Sequence, residues 1–283
     1  MSTDNIVSSL SPSEMTITAE KTATYKVNKT PLTTLFSAIT AGVFISIGFV
    51  SYIIIITSPS GEAASGVLKY VGGASFSLGL MLVVACGADL FTSTVLTILP
   101  KMTHKITWYQ MIRNWVLVYI GNFIGALFFV AIIWISAQHM TMNGQWGISI
   151  LQTADHKLHH SFIEAVGLGF LANLMVCLAV WLSYAGRTLL DKMSVMIFPI
   201  AMFVGNGFEH SIANMFMIPM GIMIQHFATP EFWTMTGMSP DTFSSLTVEH
   251  FVLNNLIPVT IGNILGGLAV ALSYWGLYLR KAH

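Results

Sequence analysis

The sequence predicts an all-α polytopic membrane protein: six transmembrane helices in an inverted 3+3 repeat, with helices 2 and 5 broken. Three observations carry this reading. Charged residues are confined to the gaps between long apolar runs, basic residues fall on one side of those runs, and the same residue pattern occurs twice along the 283-residue chain.

Only 8% of the residues are charged and 54% are apolar, whereas a soluble domain carries about a quarter charged residues. The 12 basic and 12 acidic residues cancel, so no net charge points to a nucleic-acid partner. No Asp, Glu, Lys or Arg occurs in 30–61, 70–88, 114–154, 165–186, 193–208, 210–230 or 250–279. A helix that crosses a lipid bilayer needs about 20 predominantly apolar residues. Spans are therefore expected near 33–57, 70–99, 107–136, 163–185, 194–224 and 252–279. The leader Met1–Lys29 is polar and lacks an apolar stretch of its own, so it is expected to be a short amphipathic or mobile arm and not a cleavable signal.

Orientation follows from the basic residues. Lys21, Lys26, Lys29, Lys101, Lys105, Arg113, Arg187, Lys192, Arg280 and Lys281 fall on one side of the six spans, against Lys69 and Lys157 on the other. The positive-inside rule places both termini in the cytoplasm. Trp181 and Tyr184 before Arg187, and Trp275 and Tyr278 before Arg280, fit an aromatic belt at the inner interface.

The repeat is visible twice. Asn114-x6-Gly121-Asn122-x2-Gly125 in the third span is answered by Asn255-x6-Gly262-Asn263-x2-Gly266 in the sixth. Gly87-Ala-Asp89 in the second span is answered by Gly207-Phe-Glu209 in the fifth, with Pro100 and Pro219 following at similar distance. Three spans per half invert the second half, the arrangement of many transport proteins. Spans two and five are also too long: about 30 residues at 1.5 Å each give some 45 Å, against a hydrocarbon core near 30 Å. Irregular backbone at membrane depth is tolerated inside protein or beside a water-filled cavity. Breaks around Asp89 and Glu209, lining a path, are the expectation. The Gly-x3-Gly pairs suit close helix contact and say nothing of substrate.

Ionisable groups inside spans mark functional sites by default. Asp89 and Glu209 are expected to cap the second half of each broken helix, with Gly87 and Gly207 in the breaks. His210 titrates near neutrality in its unperturbed state, and Asn173 is a second polar group inside a span. Glu164 belongs at an interface. His156, His159 and His160, beside Asp155, lie in what reads as a wet outer loop, and no metal is expected there. Cys86 and Cys177 have neither metal-site spacing nor a disulfide framework around them, and are read as packing residues.

Cys86-Gly-Ala-Asp89-Leu-Phe-Thr-Ser93, Gly169-Phe-Leu-Ala-Asn173-Leu-Met-Val-Cys-Leu-Ala179 and Ala201-Met-Phe203-Val-Gly-Asn-Gly-Phe-Glu209-His210-Ser-Ile-Ala-Asn214 resemble signatures of the formate/nitrite transporter family, and the likeness runs from about Tyr25 to Arg280. The resemblance implies an aquaporin-like protomer with its own pore, a homopentamer, and a multi-pass place in the bacterial inner membrane. It implies formate and similar small monovalent anions as substrate, with nitrite or hydrosulfide as the alternatives, and no enzymatic activity. By matching position, Leu80, Leu90 and Phe91 would line a cytoplasmic constriction, and Phe76 and Phe203 a periplasmic one. Thr92 would sit in the loop of the first broken helix, Val176 on the same pathway, and His210 between the constrictions, supported by Glu209 and Asn173. Residues 1–30 would form a cytoplasmic N-terminal arm, a candidate gating segment, and 31–281 the six-helix channel domain.

Formate is ionised at neutral pH, and an anion crossing an apolar ring loses its hydration. Half-helix N-termini attract it. His210 then either stabilises the anion as a cation or lends it a proton, coupling flux to pH; the sequence leaves both open. A haem-binding membrane oxidoreductase is the distant rival, but it needs paired histidines within spans and only His210 qualifies. An aquaglyceroporin needs Asn-Pro-Ala, which does not occur. No cofactor is expected.

Overall fold

The computed structural model describes residues 9–57 and 65–280, so Lys281 and the first eight residues of the arm lie outside the described residues. All regular elements among those described are helical. Long helices begin at hydroxyl caps: Thr30 before α2 (Pro31–Ile56), Ser65 before α3 (Gly66–Ala85), Thr107 before α6 (Trp108–Ile135), Ser161 before α8 (Phe162–Ala185) and Thr188 before α9 (Leu189–Gly205). Each cap oxygen takes an amide that would otherwise be left unpaired near or within an apolar phase. At α8 the reciprocal partner is Glu164, exposed and spent on the cap.

Five helical runs are long and apolar enough to cross a membrane: α2, α3, α6, α8 and the composite run Pro240–Leu279. The last is built from a 3-10 turn, a short helix α12 (Val248–His250), a π-turn at Phe251–Leu256 and α13 (Ile257–Tyr274). The predicted second span is α3 plus a second piece comprising α4 (Phe91–Thr94), a 3-10 turn and α5 (Ile98–Met102). The predicted fifth span is α9 plus α10 (Ser211–Phe227), each 17 residues and too short to cross alone. A bend of 104° separates α10 from α11 (Pro230–Thr236).

The long helices pack in matching pairs: α2 runs along α6, and α8 along α13. Glycine makes both contacts possible. A Cβ on Gly125 would fall on the Ile39 carbonyl, and one on Gly266 on the Phe170 carbonyl. This is the close approach expected of small-residue motifs in lipid.

One expectation is narrowed and one changes. Of the two forms expected for the arm, its described part takes the helical one, α1 (Pro12–Val27), with a Ser11/Glu14 capping box. It packs against α5 and α8, and its buried Glu20 accepts from Thr103 and pairs with Lys105. The outer loop is likewise helical: α7 (Gln145–Leu158) carries Trp146, Ile150 and Leu151 into the interior on one face. Apolar residues at helical spacing within 145–158 override the charged, histidine-rich end that made the segment read as loop.

Candidate functional site

Both long apolar segments are interrupted by a glycine at positive φ, Gly87 (71°) and Gly207 (70°), a conformation in which glycine meets no Cβ penalty. Each break strands backbone amides and carbonyls, and one asparagine answers each. Asn122 donates to the carbonyls of Ala38 (2.8 Å) and Asp89 (2.9 Å) and accepts the Phe91 amide (2.9 Å). Asn263 donates to the carbonyls of Gly169 (2.8 Å) and Glu209 (2.9 Å) and accepts the Ser211 amide (2.8 Å). The amides of Asp89 and Glu209 donate to Ser37 and Leu168, both at 3.3 Å. The six asparagine bonds are all buried, where a missing partner costs about 1–3 kcal/mol.

The acids do not cap the half-helices, contrary to expectation. The capping positions are Leu90, which makes no side-chain bond, and His210, whose ring accepts the Ala213 amide. Asp89 and Glu209 stand one residue earlier because basic side chains claim their carboxylates. Lys29 Nζ lies 2.8 Å from Asp89, with Lys26 at 3.6 Å. Lys157 Nζ lies 2.7 Å from Glu209 and His160 at 3.9 Å, while Asn214 and Asn255 donate to the other oxygen at 2.6 and 3.0 Å. Asp89 is 0% and Glu209 1% exposed, so each charge depends on its pairing.

A cavity of about 490 Å³ is lined by Lys69, His156, Lys157, Phe76, Phe203 and His210 among others. The rings of Phe76 and Phe203 meet edge to face, centroids 5.8 Å apart, and Phe203 stacks on His210 at 6.0 Å. Basic groups, an aromatic pair and one imidazole thus share the wall of one cavity. His210 Nδ1 accepts the Ala213 amide at 3.1 Å and Nε2 lies 3.0 Å from Thr92 Oγ1. Because Nδ1 accepts, the hydrogen-bond pattern assigns the neutral ring's proton to Nε2. Nε2–H therefore donates to Thr92 Oγ1, beside the N-terminus of α10, where the helix dipole favours negative charge.

Thr92 is in the first turn of α4 and not in the break itself. Its carbonyl accepts from Asn173 Nδ2 (3.1 Å) and Cys177 Sγ (3.5 Å), and Asn173 also donates to the Asn263 carbonyl at 2.6 Å. Asn173 thereby ties the first break to the brace of the second. Leu80, Leu90 and Val176 are buried at 1%, 0% and 2% exposure. Phe91 packs edge-on against Tyr119 and Trp115, centroids 4.8 and 6.2 Å away. Cys86 is exposed in the first break and Cys177 is buried. Among the described residues no group of three or more His, Cys, Asp or Glu is placed to hold a metal.

Sequence reasoning missed the lysines. Lys26, Lys29 and Lys157 count as loop charges in a topology argument, but they are the counter-ions of the two buried acids. It also used Asn122 and Asn263 only as markers of the internal repeat. The signal was present: an asparagine repeated at the same place in two apolar spans needs polar partners.

A formate/nitrite transporter family profile matches residues 13–276. The chain is 60% identical over 282 residues to the formate channel FocA of Escherichia coli K12, covering 99% of both chains. It is 53% identical over 274 residues to FocA of Haemophilus influenzae, covering 97% of this chain and 96% of that one. A solved pentameric formate channel with formate bound superposes with a TM-score of 0.84 at 46% identity, covering 88% of this chain and 98% of the other.

Proposed function

Because the chain belongs to the formate/nitrite transporter family, we propose that it is a formate channel of the bacterial inner membrane, a homopentamer with a pathway through each protomer. Transport, not catalysis, is its activity. The observation that carries a conducting path is the cavity lined together by Lys69, Lys157, the Phe76–Phe203 pair and His210; the choice of formate follows from near-full-length identity with proteins named formate channels.

The residues divide the work. Lys69 raises the local concentration of anions at the mouth, while Lys157 is spent on Glu209. Phe76 and Phe203 strip water from the anion, a step that favours small monovalent ions with modest hydration. Beyond them, His210 Nε2–H and the Thr92 hydroxyl, now bonded to each other, turn to the carboxylate oxygens. Asn173 and Glu209 hold this pair in place through Thr92 and the break. Leu80 and Leu90, with Phe91 and Val176 behind them, form the second apolar constriction.

His210 couples flux to pH through its cap. An imidazolium carries hydrogen on both nitrogens, so protonation forces Nδ1 to give up the Ala213 amide. The ring then turns, and the donor geometry at Thr92 is lost. The doubled asparagine braces support an inverted 3+3 reading, and the bias of basic residues to one side of the spans supports cytoplasmic termini. The arm, residues 1–30, reaches the channel domain, 31–281, through Lys26 and Lys29 on Asp89, which is the contact through which it would gate.

Uptake into proteoliposomes tests the reading. Formate flux should exceed that of nitrite and hydrosulfide at equal gradients, and preference for either rival reassigns the substrate.

A further inference from the structure

We propose that His156 and His160 form a two-imidazole binding site for a divalent transition-metal ion such as zinc, at the mouth of the cavity. His156 lies in the last turn of α7 and His160 two residues beyond its end, and their rings stand 5.2 Å apart between centroids at 87°. Zinc–nitrogen bonds of about 2.0–2.1 Å in tetrahedral geometry place two ligating imidazoles with centroids about 5 Å apart. The separation of the two rings matches that spacing.

Three further features point to a cation. His160 Nε2 is buried and has no hydrogen-bond partner, and it faces Glu209 Oε1 at 3.9 Å. Both histidines border the cavity, so an ion has an open route to them. The C-terminal end of α7 carries the negative pole of its dipole. Lys69 and Lys157 repel a cation here, and Glu209 is already paired with Lys157. Two imidazoles with water as the remaining ligands make a weak, exchangeable site, distinct from a resident cofactor. An ion held there stands in the anion's route.

Calorimetric titration of the purified protein with zinc chloride tests this without reference to what the channel carries. The expected result is one zinc per chain at pH 7.5. His156→Gln and His160→Gln should each weaken binding about tenfold or more. His159→Gln, whose ring is exposed and paired with Asp155, should bind as wild type, and magnesium, which prefers oxygen ligands, should give no heat. His156 is exposed, so its variant keeps the test open if His160→Gln fails to fold. In proteoliposomes, outside zinc should lower formate flux relative to each variant's own zinc-free value, with the same loss of sensitivity. Zinc bound equally tightly by both single variants, or lost equally in His159→Gln, overturns the site. Absence of formate flux with zinc still bound counts against the channel reading and not against the site.

Discussion

The break at Asp89 and the break at Glu209 use the same parts and differ in what holds them. Each has a glycine at positive φ, a buried acid two residues on, and an asparagine from the partner helix making three hydrogen bonds. At Asp89 the counter-charges Lys26 and Lys29 come from the N-terminal arm, a segment that docks from outside the helix bundle. At Glu209 they come from α7, whose Lys157 is itself buried. After Asp89 comes Leu90, with no side-chain cap; after Glu209 comes His210, which caps α10 with one nitrogen and meets Thr92 with the other. Two equivalent breaks therefore do unlike jobs: one offers a contact that an arm can make or release, the other a donor fixed in the pathway.

The braces should produce the largest effects. Asn122→Leu and Asn263→Leu each strand two buried groups at the break, since the Ala38 and Gly169 carbonyls lie inside helices, and each should cost about 2–6 kcal/mol, read as loss of folded oligomer on size exclusion in detergent. A large loss for one and none for the other breaks the equivalence of the two halves.

The counter-ions come next and should split the breaks apart. Lys157→Met leaves Glu209 buried and charged, at a cost of about 3–5 kcal/mol; adding Glu209→Gln should recover much of it. Lys29→Met should cost less, because Lys26 stands 3.6 Å from the same carboxylate. Thermal unfolding of the three variants reads the order, and Lys29→Met proving the more damaging would reverse the assignment of fixed and releasable clamps.

The smallest change is at Thr92. Thr92→Val keeps the shape and removes one hydrogen bond worth about 0.5–1.5 kcal/mol, so formate flux should fall roughly two- to tenfold with little loss of stability. Unchanged flux would remove Thr92 from the donor pair.

Much of this architecture was legible in the residues, and the boundary has a physical cause. Charge-free runs and duplicated Gly-Asn and Gly-x-acid patterns located the spans and the breaks, because lipid tolerates little else. The pairing of Asp89 with Lys29, and of Glu209 with Lys157, joins residues 60 and 52 positions apart and leaves no periodic trace. The same blindness turned the acids into caps and α7 into a loop. His210 stood out because it is a titratable group in an unchargeable span; that its Nδ1 is already committed to Ala213 could be known only once the break was folded.

The pH profile of formate flux in proteoliposomes, compared among wild type, His210→Asn and His210→Phe, tests the central claim most directly. Asparagine is a good helix cap, so His210→Asn should keep the Ala213 bond and the wild-type stability, whereas His210→Phe should lose about 1 kcal/mol. Neither can titrate or present an Nε2–H to the anion. The account predicts that both variants lose the pH dependence of flux while only the phenylalanine variant is destabilised. A His210→Asn channel that carries formate with the wild-type rate and pH profile would contradict it, leaving His210 as a cap and nothing more.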